Sequence, residues 1–301
     1  MKVMHAGRRM KVEVTSDGAG LVSHAGSALL AQVADKSGLT RALCRELGPL
    51  QKRAGSHDRG RVARDLAVML ADGGDCLADL AVVRDQAALF GVTASDSTAF
   101  RVIDQIASDP DAIGWLRAAH AKARARVWAL AGASEKLTID LDATLLSSHS
   151  DKEGAEPTYK CGYGFHPMLA YADQTGEALA GELRPGNAGA NTAADQIQVA
   201  EQALQQIPAE HIESIELLLR VDSAGACHEL LDWCREAKIR YSVGYDLTEP
   251  VRAAITKIRR SGLGHGDRSG QQRPAQRAGR RDHRPARPDR LAGRVAGARP
   301  P

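Results

Sequence analysis

The chain has 301 residues, of which 43% are hydrophobic and 26% charged, so it can bury the core of one large domain or two ordinary ones. Aromatic residues make up only 4%, which argues against an aromatic base-stacking platform, and no run approaches the ~18 apolar residues a membrane helix needs. The formal net charge of +3 hides a strong asymmetry: 18 Lys/Arg against 14 Asp/Glu in residues 1–130, 10 against 20 in residues 131–258, and 12 against 3 in residues 259–301.

The start, residues 1–11, is basic but lacks the apolar stretch of a secretion signal. Residues 1–130 read as a helical region. Leu29, Leu30 and Val33 begin one apolar stripe, and Leu43 and Leu47 fit a second that Gly48-Pro49 ends. Val62, Leu66, Met69 and Leu70 follow at i, i+4, i+7 and i+8. Asp96-Ser97-Thr98 offers an N-cap ahead of Phe100, Ile103 and Ile106. A long helix over 111–130 is expected to bury Ile113, Leu116, Val127 and Leu130. On that helix Arg117 and Arg124 share one face and Lys122 and Arg126 another, with His120 between them. Such a basic stripe would position DNA by its phosphates rather than read its sequence; a solvated helix surface explains it equally well.

Residues 131–258 read as an α/β region. Alternation over 137–146 predicts a strand. Two more strands, 167–172 and 177–183, flank the turn Asp173-Gln174-Thr175-Gly176. Asn191 or Thr192 then caps a helix with Ile197, Ala200, Leu204 and Ile207 on one face. The apolar run 215–221 reads as a central strand. A helix with Cys227, Leu230, Leu231 and Cys234 on one face, a fifth strand at 240–245 and a helix start near Thr248 complete the order, with no internal repeat.

From residue 259 onward come twelve Arg, seven Gly and five Pro in 43 residues, with Leu263, Leu291 and Val295 the only large aliphatics. This segment is expected to be disordered, since it buries too little apolar surface to offset ordering entropy. It suits a nucleic-acid-binding arm; its composition also matches GC-rich DNA translated out of frame. The five cysteines, Cys44, Cys76, Cys161, Cys227 and Cys234, form no Cys-x-x-Cys pair. An odd count with no export signal fits reduced thiols better than a disulfide scaffold. Cys227 and Cys234 fit a buried helix face and are given no catalytic role.

The sharpest chemical feature is Asp140-Leu141-Asp142-Ala143-Thr144. On a strand Asp140 and Asp142 point to the same face, where a divalent cation would relieve their repulsion through the oxygen ligands that Mg²⁺ prefers. A solvated face is the plainer alternative. Asp222 ends the apolar strand before a small-residue turn, where sites in α/β sheets cluster; it also suits a simple helix cap. Tyr159 and Lys160 lie in a polar connection suited to a DNA backbone or to a solvated hairpin. His166 suits a phosphate contact or a local hydrogen bond, and His149 falls at the rim. Without a P-loop or Gly-x-Gly-x-x-Gly, a nucleotide cofactor has no support.

These segments together carry a resemblance over about residues 20–258. The Asp-x-Asp-x-Thr strand, Tyr159-Lys160 with Gly162, Gly164, His166 and Pro167, the Leu183-Arg184-Pro185-Gly186-Asn187 segment, and Arg220-Val221-Asp222-Ser223 resemble the DDE-type insertion-sequence transposases, and more narrowly the family numbered 1380. The resemblance implies a mixed-sheet, ribonuclease H-like catalytic core (131–258) behind a helical DNA-end-binding region (1–130). It implies two Mg²⁺, with Mn²⁺ able to substitute, held by an Asp, Asp, Glu triad. Asp142 matches the first carboxylate, with Asp140 a neighbour able to take that role, and Asp222 the second. The third has no match; Glu249, the nearest acid beyond the fifth strand apart from Asp246, sits before Pro250 at a helix start. The implied activity is metal-dependent cleavage and transfer of DNA strands at element ends, in a cytoplasmic, nucleoid-associated assembly of at least two protomers on terminal repeats and target DNA. For lack of the third carboxylate, this copy is expected to be inactive. The alternative is a non-catalytic, DNA-binding fragment that occupies element ends; a poorly folding relic with uncovered strand edges is a third expectation. The acidic core should repel DNA unless bound metal offsets its charge.

Overall fold

A computed structural model of the protein describes residues 24–52, 57–148, 152–189 and 192–257. The arginine-rich segment 259–301, His149 and Asn191 lie outside the described residues. The chain divides into two compact units, Met1–Asp246 and Leu247–Pro301. Among the described residues no helix is long and apolar enough to cross a membrane.

Among the described residues seven α-helices come first: α1 (Ser27–Ser37), α2 (Leu39–Glu46), α3 (Arg59–Ala71), α4 (Leu80–Arg84), α5 (Ala87–Phe90), α6 (Asp96–Ser108) and α7 (Ala112–Ala131). Gly38, at φ 83°, ends α1 and turns directly into α2, a backbone conformation that glycine adopts without steric cost. Asp58 caps α3 by accepting from the Arg61 N–H at 2.9 Å. Ser95 caps α6 by accepting from the Thr98 N–H, one residue ahead of the expected cap.

The helical region holds two apolar cores. One joins Ala28, Ala31, Val62, Met69, Leu80, Val83, Phe90 and Val102; the other joins Leu43, Leu47, Leu50, Ala112 and Ala119. Several expected stripes are rotated. Leu29, Leu30, Val33, Leu70, Phe100, Ile103, Ile113, Val127 and Leu130 are exposed, while small residues such as Ala28, Ala31, Ala34, Ala119 and Ala123 face inward. Helices that approach closely leave room at the contact for alanine and glycine, so size rather than hydropathy selected the buried face. Gly60 shows how close the approach is: a Cβ there would stand 2.1 Å from the Cys44 backbone N.

The α/β part follows with β1 (Lys136–Ala143), β2 (Leu146–Ser147), β3 (Glu156–Pro157), β4 (Tyr163–Phe165), β5 (Met168–Ala172), β6 (Glu177–Glu182), α8 (Ala193–Leu204), α9 (Ala209–Ile212), β7 (Glu216–Val221), α10 (His228–Glu236) and β8 (Arg240–Val243). The main sheet has the order β6-β5-β1-β7-β8. β5 is antiparallel to β1 and β6, whereas β7 and β8 run parallel to β1. This is the mixed-sheet, ribonuclease H-like arrangement the sequence implied. β7 is flanked on both sides, which accounts for its apolar run. The small sheet β2-β4-β3, not expected from the sequence, is inserted between β1 and β5.

One face of the main sheet carries Leu137, Ile139, Leu141, Met168, Ala170, Ala172, Leu219 and Val221 and packs with Val199, Ala200 and Ala203 of α8 and Leu230 and Cys234 of α10. The buried face of α8 is Gln196, Val199, Ala200 and Ala203; Ile197 and Leu204, expected at its centre, are only partly buried beside it. Thr192 occupies the N-cap without a side-chain cap bond. Burial raises the Cys234 thiol to about 11, which keeps it protonated and unreactive. In the second unit, α11 (Glu249–Lys257) begins one residue beyond Thr248.

Candidate active site at the carboxyl ends of β1 and β7

β1 and β7 lie side by side in parallel register, with Asp140 opposite Arg220 and Leu141 opposite Val221. Asp142 and Asp222 each follow the last registered pair, Leu141 and Val221, by one residue, so both acids stand where the paired stretch of these adjacent strands ends. Alternation directs Ile139, Leu141, Leu219 and Val221 into the core and Asp140, Asp142 and Arg220 to the opposite face. Asp142 and Asp222 are both exposed.

The two aspartates of β1 have different surroundings. Arg220 donates from Nε to Asp140 Oδ1 and from Nη2 to Asp140 Oδ2, each at 2.6 Å, and from Nη2 to Asp173 Oδ1 at 2.8 Å. Its hydrogen bonds to Asp140 raise the Arg220 pKa above its ordinary value. A cation reaching Asp140 would have to displace this two-pronged pair. Asp222 has extended backbone (φ −75°, ψ −177°) and caps the short turn Ser223–Gly225, its Oδ1 accepting from the Gly225 N–H at 3.0 Å. The simple capping role is therefore present, yet it uses one oxygen; among the described residues Oδ2 has no protein hydrogen-bond partner.

A cleft of about 440 Å³ opens where β1 ends, lined by Ala143, Thr144, Ser147, Thr158, Tyr159 and Lys160 among others. The small sheet forms its wall. Gly164 in β4 has φ 151°, and a Cβ there would stand 2.0 Å from the Leu146 carbonyl oxygen, so only glycine permits this strand approach. Tyr159 is 68% exposed, and the Lys160 ammonium stands 5.5 Å from its ring centroid.

His166 and Arg124 require correction as DNA contacts. His166 is buried; its Nδ1 pairs with the Ala188 carbonyl at 2.7 Å, and its own carbonyl accepts from Arg184 Nε at 3.0 Å. It pins the 183–189 loop, the local hydrogen-bonding role. Arg124 is buried too, donating to Glu177 at 2.6 Å, to the Ala178 carbonyl at 3.1 Å and to Gln206. It ties α7 to the sheet and is withdrawn from the basic stripe. Lys122 pairs with Glu46 at 2.5 Å, and Arg126 donates to the Lys36 carbonyl at 3.1 Å; both remain exposed. Arg117 is half-buried.

Among the described residues, one group of three metal-capable side chains falls within 4.8 Å of one another: Asp75, Cys76 and Asp79. Asp79 Oδ2 there accepts from the backbone N–H groups of Asp75 and Cys76, each at 3.0 Å, and these bonds hold its carboxyl below the usual range. Capping a short turn accounts for that cluster. Among the described residues of the first unit, neither Asp142 nor Asp222 belongs to such a group of three.

The sequence named Arg220 and Asp173 only within a motif and a turn, without their ion pairs, and did not mark Gln196 at all. Arg220 had a usable signal, since Asp140-x-Asp142 and Arg220-x-Asp222 share one spacing. Gln196 had none, because a helical glutamine does not reveal a polar anchor. The family model described as transposase DDE domain group 1 matches residues 4–281, past residue 258 and into the arginine-rich segment. No curated protein matches the chain.

Proposed function

The chain belongs to the group 1 DDE-domain transposases, and from that membership we propose that it acts on DNA at the ends of a mobile element through Asp142 and Asp222 and a divalent metal. The position of both acids one residue beyond the last registered pair of two adjacent strands, Leu141–Val221, supports this reading. The donor set fits the ion: exposed carboxylate oxygens are hard ligands of the kind Mg²⁺ takes, with water completing its shell. Asp222 would offer Oδ2 while the Gly225 N–H holds Oδ1 in place. When bound, a divalent ion at these oxygens supplies Lewis-acid activation of water or a 3′-hydroxyl at a phosphodiester.

The cleft beside β1 receives the strand. Lys160 neutralises phosphate there, Tyr159 offers a flat face, and Thr144, Ser147 and Thr158 supply hydroxyl donors. Arg117 and Arg126 on α7 serve as outlying phosphate contacts, of the kind that fix position without reading bases. Mg²⁺ is the preferred ion and Mn²⁺ a substitute, on an assembly of at least two protomers. The narrower likeness to the insertion-sequence family numbered 1380 rests on the motifs around Asp142, Lys160, Arg184 and Asp222.

Two carboxylates anchor one ion firmly, not two. This copy is accordingly proposed to be inactive or very slow in cleavage, by several kcal/mol of transition-state stabilisation, while still binding DNA. That neither acid belongs to a group of three metal-capable side chains among the described residues of the first unit favours, as a second reading, a non-catalytic DNA binder that occupies element ends without cutting. Incubating the chain with supercoiled DNA bearing element ends and MnCl₂ separates the two. Nicking that Asp222→Asn abolishes supports a catalytic copy. Salt-sensitive binding that survives Asp142→Ala, without nicking, selects the binder. No preference for element ends over random duplex removes both.

A further inference from the structure

We infer that Gln196 is a positioning residue for Asp222, acting through the turn that follows β7; this rests on the two-aspartate reading above. Gln196 stands on α8 and is 1% exposed. Its Nε2 donates to the Gly225 carbonyl at 2.9 Å, and its Oε1 accepts from the Cys227 thiol at 3.2 Å. Gly225 in turn donates its N–H to Asp222 Oδ1 at 3.0 Å. One amide thus grips the turn from a different element, and the turn grips the carboxylate.

The close packing leaves the turn little freedom. A Cβ at Gly225 would lie 3.0 Å from Gln196 Nε2 and 3.3 Å from Val221 Cβ, so the glycine and the amide fit as a pair. Cys227 is also the N-cap of α10, and Gln196 therefore joins α8, the Ser223–Gly225 turn and the start of α10. The apolar alternatives that a core helix would ordinarily place here satisfy none of these groups. A buried amide whose two ends are both hydrogen-bonded is worth keeping when the turn it holds must present an acid in one orientation.

The test is a titration of the full-length chain with MnCl₂, read by electron paramagnetic resonance, alongside thermal melting. Gln196→Met is expected to melt cooperatively and to bind Mn²⁺ about tenfold or more weakly, the usual range for a residue that orients a ligand. Amide exchange in Gln196→Met should speed up at Gly225 while α8 amides keep their protection, which a general loss of stability would not produce. If Gln196→Met does not melt cooperatively, Cys227→Ala replaces it; it removes one of the two partners, and a weakening of about threefold is expected. Affinity within twofold of wild type in the folded variant, with Asp222→Asn still impaired, overturns the inference alone. If Asp222→Asn leaves affinity unchanged, or the wild-type chain shows no saturable Mn²⁺ binding, the two-aspartate reading fails and takes this inference with it.

Discussion

Arg220 holds Asp140 by two parallel hydrogen bonds of 2.6 Å across the β1–β7 pair. The neighbouring Asp142 lies one register step from Leu141 and outside that grip. On the proposed reading, the two acids on this strand face have separate tasks. Asp140→Asn should leave Mn²⁺ affinity within about threefold, and cost roughly 1 kcal/mol of stability because the pair is partly solvated. Asp142→Asn should lose affinity by tenfold or more. Equal losses in the two variants, measured in one titration, would assign Asp140 to the metal after all.

Asp222→Asn and Asp222→Ala are expected to differ in stability but not in function. Asparagine keeps an oxygen for the Gly225 N–H, whereas alanine removes the cap at a cost of about 1 kcal/mol. Both should bind Mn²⁺ poorly. Urea unfolding beside the metal titration checks the split.

Arg124→Ala should be among the most damaging single changes in the region. It removes the donors to Ala178 and Gln206 and the ion pair with Glu177, whose other oxygen keeps only the Trp128 N–H, an expected loss of about 3 kcal/mol. Arg124→Lys should not restore it, since an ammonium cannot reproduce the planar fork. Arg117→Ala, by contrast, should change stability by less than about 0.5 kcal/mol while lowering the salt dependence of DNA binding by about one unit of slope. Denaturant melts and a salt series of binding isotherms check both.

Gly60→Ala tests the contact of α2 with α3. The added Cβ would collide with backbone, 2.1 Å from Cys44 N, and backbone cannot rotate away as a side chain can. A loss of about 1–3 kcal/mol or more is expected, read as a lowered urea midpoint with an unchanged slope.

Asp65 gives the helical region a pH dependence. It is 3% exposed, and burial raises its carboxyl to about 6 despite Arg64 at 2.7 Å. Because the folded-state value lies above the unfolded one, the folded chain binds the extra proton between about pH 4 and pH 6. The contribution to stability is present in full below that window and lost as pH rises through about 6, on the order of 3 kcal/mol. Asp65→Asn should flatten this part of the stability profile, measured by urea unfolding from pH 4 to pH 7.5.

Local pattern sufficed for much of the molecule. Alternation in 137–146 and the apolar run 215–221 marked β1 and β7, and the turn at Asp173-Gln174-Thr175-Gly176 marked the β5–β6 hairpin, because strand period and turn chemistry are properties of adjacent residues. The chain order of the five main strands was legible on the same grounds, whereas Asp142 and Asp222 were singled out with the help of the family likeness and stand as the proposed pair. What the tertiary structure alone decided lies in contacts between distant segments. Arg124 reads as one more surface cation until α7 meets the sheet; His166 suits either a phosphate contact or a local hydrogen bond until its contacts with Ala188 and Arg184 favour the second. The exposed Leu29, Val33 and Ile113 show the same limit, since close helix packing selected alanines for the inner face. Hydrophobic period locates an element, but its partner, its rotation and the fate of each polar group depend on which distant surface it packs against.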